Sequence, residues 1–366
     1  MGFDRNITRR SILAALGLMP GMRLLRGQQQ DSATFSTGVK VVNLFANVRN
    51  KSGAIVKDLT KEDFQLSEDD RSQVIRYFSQ ESDLPLTLGL LVDTSGSQRR
   101  LIDEERAASY RFFEQVLRPE KDVAFVIHFD FDTELLQDVT PSRKLLEKAL
   151  EELEVPVGQR QQQRGGGRQQ GGQQAPFPFP GGGGRGRGRG GRGGRGPNNG
   201  GGGQQRGGGT VLYDAVMLAS DELMRKQSGR KALIVLSDGV DTGSKVSLST
   251  AVEAAQRADT LVYSILFEDP EMYGGGLGIG RRVAGLADGK KVLQQLSRET
   301  GGRFFEVSKK SPLAKVYDEI DEDLRHQYSI GYSPDRTEAP GAYHKIRLTT
   351  RQKGLIVQTR EGYYGS

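Results

Sequence analysis

Between Leu86 and about His326 the chain alternates short apolar runs with amphipathic stretches. The runs are Leu86–Val92, Val123–Phe129, Ala232–Leu236 and Thr260–Phe267, mostly Val, Ile and Leu. Lengths of roughly four to eight residues with no polar alternation are the pattern of strands buried on both faces of a parallel sheet. The intervening stretches have helical period. Leu101, Ala108, Phe112 and Val116 share one face, and Leu212, Ala215, Val216, Ala219 and Leu223 follow the i, i+3, i+4, i+7, i+11 spacing. Strand–helix alternation of this kind predicts a doubly wound, mostly parallel α/β sheet over residues 83–326.

On either side the pattern turns to β. In residues 37–82, Val39–Val48, Phe64–Ser67 and Val74–Phe78 have strand composition, separated by turns at Asn50–Gly53 and Glu68–Asp70. In residues 327–364, Tyr328–Tyr332, His344–Thr349 and Leu355–Arg360 read the same way. Strands from the two ends are expected to pair into one small β domain around the α/β unit.

Two segments interrupt the α/β pattern. Residues 158–209 are Gly/Arg/Gln repeats around Phe177-Pro178-Phe179-Pro180, with 24 of the chain's 49 glycines. Such a segment has too little apolar surface to offset the entropy of ordering, so disorder is expected. Residues 269–289, with Gly274–Gly280 at their centre, read as a long loop.

Charge follows the same division. The formal net charge is +6, but the insert carries nine Arg and no acid, and residues 1–27 carry five Arg and one Asp. The remainder is therefore net −7, which excludes a uniformly basic nucleic-acid-binding domain. The absence of cysteine excludes a disulfide framework, a thiolate zinc site and thiol catalysis. Arg5, Arg9 and Arg10 precede the apolar run Ile12–Met19, which Pro20 and Arg23 cut short of the ~20 residues a spanning helix needs. Thr8-Arg9-Arg10-Ser11-Ile12-Leu13 resembles a twin-arginine export signal. Residues 1–30 are thus expected to direct export to the periplasm, cell surface or medium, with no membrane span once the signal is removed.

Candidate chemistry sits where the apolar runs end. Asp93-Thr94-Ser95-Gly96-Ser97 follows the first buried strand, Gly209-Thr210 opens the helical stretch 210–225, and Ser237-Asp238-Gly239 ends a later strand. Strand ends of a doubly wound sheet are where ligands bind. Asp93, Ser95, Ser97, Thr210 and Asp238 are all hard oxygen donors, a set suited to Mg²⁺ or Mn²⁺ rather than zinc or copper. An alternative is that Asp93, Ser97 and Thr210 simply cap helices. Asp214 and Asp241 lie close in sequence but read as helix-start and turn residues.

In these residues the sequence resembles the von Willebrand factor type A domain, whose metal-ion-dependent adhesion site (MIDAS) follows Asp-x-Ser-x-Ser, then a Thr, then an Asp. Leu212-Tyr213-Asp214-Ala215, Ser237–Gly243 and Glu361-Gly362-Tyr363-Tyr364 are similar to a bacterial group of such domains labelled acidobacterial. The resemblance spans roughly residues 37–364 apart from the insert. It implies a non-enzymatic module whose metal takes an acidic group from a protein or surface partner, in adhesion or in scaffolding.

Two other functions compete. Nine Arg in Gly repeats suit salt-dependent contact with a polyanion, although only two Phe are available for stacking. Asp130-Phe131-Asp132-Thr133 is similar to the Asp-x-Asp start of Mg-dependent phosphotransferases, but Glu134 stands where that pattern wants Thr or Val, and a polar turn is the expectation. No phosphate loop is present. His128, His326 and His344 are scattered, with His128 inside an apolar strand, so no Ser-His-Asp arrangement is expected.

Overall fold

The computed structural model describes residues 41–80, 84–96, 98, 102–153, 209–267, 279–335 and 341–365. The expected export signal, Ser97, the body of the Gly/Arg insert and residues 269–278 of the expected loop lie outside these residues, while residues 279–289 of that loop are helical.

Six strands form the central sheet: β5 (Leu86–Asp93), β6 (Val123–Phe129), β7 (Thr133–Thr140), β8 (Arg230–Ser237), β9 (Leu261–Leu266) and β10 (Phe304–Glu306). Their order is β10-β9-β8-β5-β6-β7, parallel throughout except for the antiparallel edge β7. All eight residues of β5 and all eight of β8 are buried, as continuous apolar runs require when helices cover both faces. On one face α1 (Ile102–Val116), α2 (Arg143–Glu151) and α6 (Leu313–Arg325) pack on Leu88, Leu90, Val92, Ile234 and Leu236. On the other, α3 (Leu212–Leu218), α4 (Leu248–Arg257) and α5 (Ile279–Thr300) pack on Leu91, Phe125, Leu233 and Val235. The fold is therefore the doubly wound α/β class expected from the alternation. Gly89 sits mid-strand because its neighbours fill the space above it: a Cβ there would lie 2.3 Å from the Phe125 ring.

The helix after the insert departs from a single amphipathic run. After α3 the chain makes a wider π-type turn over Ala219–Leu223 and a 3-10 turn over Met224–Lys226. Leu212, Ala215, Val216 and Ala219 are buried as the period predicts, but the next inward position falls on Met224, fully buried, while Leu223 is only half-buried. The extra residue of the π turn advances the helical phase by one position.

The flanking segments build a small β domain from both ends of the chain. One sheet runs β13 (Ile356–Gln358), β1 (Val42–Arg49), β11 (Tyr328–Tyr332), β4 (Ile75–Gln80). The second runs β14 (Gly362–Tyr364), β12 (Tyr343–Thr350), β2 (Phe64–Glu68), β3 (Arg71–Gln73). Leu44, Val48, Phe64, Leu66, Tyr328, Ile330, Ile346 and Leu348 fill the core between them. The buried Asp323 at the end of α6 joins the two units, taking Arg49 and Asn47 from β1 and Arg303 from the turn before β10.

Candidate metal centre

The strand order reverses at β5. The chain leaves β5 through α1 towards β6, and later returns to β8 on the opposite side. The crevice where such connections diverge is the ligand site of open α/β sheets. Asp93 ends β5 and Ser237-Asp238 ends β8, so both candidate aspartates stand at this switch point.

Asp93 is fully buried. Its Oδ1 accepts from the Ser95 backbone N–H at 2.9 Å, the Ser95 side chain bonds to the same carboxyl, and its Oδ2 accepts from Ser237 Oγ at 2.6 Å. Ser237 Oγ in turn accepts from the Gly239 backbone N–H at 2.9 Å. Asp238, also buried, accepts from the Val240 backbone N–H through Oδ1 at 3.0 Å. Gly239 makes this turn possible: its φ is +76°, and a Cβ would lie 2.3 Å from the Gly289 carbonyl oxygen of α5. Among the described residues no basic side chain pairs with Asp93. Burial, with the charge of Asp238, raises its pKa to about 7.

Thr210 is half-buried, on the segment that crosses the carboxyl edge of the sheet. Its carbonyl accepts from Thr242 N and Gly243 N at 3.1 and 3.0 Å, tying it to the loop after β8, while Val211 N donates to the Asp130 carbonyl at 2.8 Å. Ser95 is half-buried and its carbonyl accepts from Gln98 N at 2.9 Å. Ser97 lies outside the described residues.

Helix capping does not account for Asp93 or Thr210. The first N–H groups of α3 are taken by Asp241 Oδ2 and Ser244 Oγ, both 3.1 Å from Tyr213 N, and Asp214 N also donates to Ser244 Oγ. The cap residue is Val211, not Thr210. The Asp214 carboxylate binds Lys245 N and Val246 N. Asp214 and Asp241 therefore lace the α3 start to the loop after β8, the turn and helix-start roles their positions suggested. Asp93 caps its own turn, two residues on, rather than α1.

Sequence reasoning missed three groups around the site. Ser237 locks the Asp93 carboxyl. Glu105 and Gln98 are fully buried, and among the described residues no side-chain oxygen or nitrogen of either has a hydrogen-bond partner. The Glu105 pKa is pushed far above its ordinary value by burial and by the charges of Asp93 and Glu104. A signal for Glu105 existed: it falls at i+4 from Leu101 and i−3 from Ala108, on the apolar face of α1.

Two further sequence readings have their outcome here. Asp130–Asp132 form the hairpin turn from β6 to β7, with Asp130 N donating to the Asp132 carbonyl at 3.0 Å and Phe131 exposed. His128 is not isolated: Nδ1 shares a hydrogen bond with Thr94 Oγ1, and Nε2 with Glu134 Oε2, each at 3.1 Å. This hydroxyl–imidazole–carboxylate line ends on a Thr94 with no exposed surface, and it ties the loop after β5 to the edge hairpin.

No protein-family model and no curated protein matches the chain. Solved structures that it resembles include von Willebrand factor type A domains. One is a von Willebrand factor type A protein from Catenulispora acidiphila, at 10% identity and a TM-score of 0.42 over 91% of this chain and 76% of that one. An aerotolerance-related membrane protein from Bacteroides fragilis follows at 12% identity and 0.40, over 66% and 98%. Proximal thread matrix protein 1 of the mussel byssus, in a form with a zinc-occupied MIDAS motif, stands at 11% identity and 0.42, over 71% and 50%. These are likenesses in overall arrangement; the site is read from this chain's own residues.

Proposed function

We propose that the chain is a metal-dependent binding module, in which Asp93, Ser95, Ser97, Thr210 and Asp238 hold one Mg²⁺ or Mn²⁺ that takes an acidic group from a protein or surface partner. The observation that carries this reading is the buried Asp93 carboxyl beside Asp238 at the switch point, an arrangement that costs free energy until a cation compensates it. The donor set supports a hard cation: every candidate is a carboxylate or hydroxyl oxygen. Few direct carboxylates would leave the ion electrophilic, so that an external carboxylate completes its shell. The Arg9-Arg10 leader supports work outside the cytoplasm, and no described helix is long and apolar enough to cross a membrane.

Titration of Mg²⁺ and Mn²⁺ by calorimetry into the full chain tests the reading, beside an Asp93→Ala, Asp238→Ala double variant checked for fold by circular dichroism. One ion bound by the wild type and none by the variant is expected. Equal binding by both, or none by either, overturns it.

A further inference from the structure

The β domain holds a second constellation, remote in sequence from the switch-point residues. Glu68 ends β2, Asp69 is the first residue of the two-residue turn into β3, and His344 lies on β12, the strand paired with β2. Glu68 and His344 are buried at 7% and 4% exposure, whereas Asp69 opens to solvent. One ligand atom from each side chain lies within 4.8 Å of the other two.

The way each carboxylate is held gives the cluster its direction. Glu68 Oε2 accepts from Tyr332 Oη at 2.6 Å, which leaves Oε1 turned to His344 Nδ1 at 3.5 Å, with Tyr363 Oη at 3.3 Å from that same oxygen. Asp69 Oδ1 accepts from the Lys345 backbone N–H at 2.8 Å, which leaves Oδ2 at 2.9 Å from His344 Nδ1. The His344 ring stacks on Tyr363 with centroids 5.1 Å apart. One oxygen of each carboxylate is tied to a donor on a neighbouring strand, and the other faces a single imidazole nitrogen, Glu68 Oε1 while also accepting from Tyr363 Oη. Among the described residues, His344 is the basic side chain within ion-pair distance of Glu68 and Asp69, and the charge of Arg71 also acts on Asp69.

We infer that Glu68, Asp69 and His344 form a binding site for a transition-metal ion, with zinc as the probe, and with water on the side open at Asp69. Ligands about 2.0–2.1 Å from a tetrahedral zinc stand about 3.3 Å apart, and the 2.9 and 3.5 Å separations bracket that value. One imidazole nitrogen with two carboxylate oxygens suits zinc, whereas the all-oxygen switch-point set suits magnesium. Tyr332 and Lys345 would be the outer partners that orient the ligands. Glu68 and His344, on two paired strands and buried, arrive with little freedom left to lose on binding, and Asp69 joins them from the adjoining turn.

The test uses the tag-free full chain in an Asp93→Asn, Asp238→Asn background, which keeps it separate from the site proposed above. One equivalent of Zn²⁺ is expected to bind. His344→Phe, which keeps a ring over Tyr363, should abolish binding; Glu68→Gln should weaken it at least tenfold, and Tyr332→Phe about tenfold. X-ray absorption on the zinc-loaded background protein needs no change in the cluster, and should show one imidazole nitrogen among oxygens. No binding in the folded background protein, binding unchanged by His344→Phe, or a shell without imidazole would each overturn the inference.

Discussion

Ser237 Oγ donates a 2.6 Å hydrogen bond to Asp93 Oδ2, joining the ends of the two strands between which the central sheet changes direction. The same hydroxyl accepts from Gly239 N, so one serine fixes both the carboxyl rotamer and the turn that carries Asp238. Ser237→Ala is expected to cost about 1.5–3 kcal/mol, the range for a hydrogen bond to a charged group. It should also weaken Mg²⁺ binding about tenfold, as loss of an outer partner does. Urea titration with and without Mg²⁺ separates the two effects.

At the proposed site a metal ion would compete with a proton for Asp93. With its pKa raised to about 7 by burial and by Asp238, against about 3.9 in an unfolded chain, the metal-free fold binds more protons between those values. Its contribution to stability is therefore full below about pH 4 and lost as pH rises through 7. Saturating Mg²⁺ should reverse the trend, because the ion favours the ionised carboxyl. Thermal midpoints at pH 5 and pH 8, each with Mg²⁺ and with chelator, should show the metal stabilising far more at pH 8. A metal effect equal at both pH values would contradict this.

Glu105 is a buried carboxyl without a hydrogen-bond partner among the described residues, so its ionised form is disfavoured. Glu105→Gln removes the ionisation while keeping the shape. The variant should match wild-type stability near pH 4 and below, and exceed it increasingly as pH rises through the unfolded carboxyl pKa towards 8, measured by denaturant midpoint at constant slope.

Gly89→Ala tests the packing of Phe125 across β5. The new methyl would lie 2.3 Å from the Phe125 ring and 2.6 Å from Leu233, inside a sheet that cannot yield on either face. Overpacking of this kind costs about 1–3 kcal/mol, to be read from equilibrium unfolding of the full chain.

The sheet was legible because its strands are apolar throughout: Leu86–Val92 and Val123–Phe129 coincide with β5 and β6 almost to the residue. Other strands escaped. β7, at the sheet edge, is mostly exposed or half-buried with no regular alternation, and β3 and β10 have three residues each, too few for a period. The π turn at Ala219–Leu223 was illegible because one added residue shifts phase without changing composition. At the switch point, Asp93 and Asp238 stood out by lying at strand ends. Ser237 did not, because a serine closing an apolar run looks like any strand terminus. The Glu68–Asp69–His344 cluster joins positions some 275 residues apart, which no local pattern reveals.

The β domain's construction from both ends of the chain has a consequence for synthesis on the ribosome. Val42 pairs with Tyr332, so β1 leaves the exit tunnel long before its partner has been made. Through that interval the apolar faces of β1, β2 and β4 have no mate, while the central sheet has all its strands once β10 emerges. The last forty residues then act as a closing clasp, and a chain truncated before β11 would present unpaired edges open to association with a second copy.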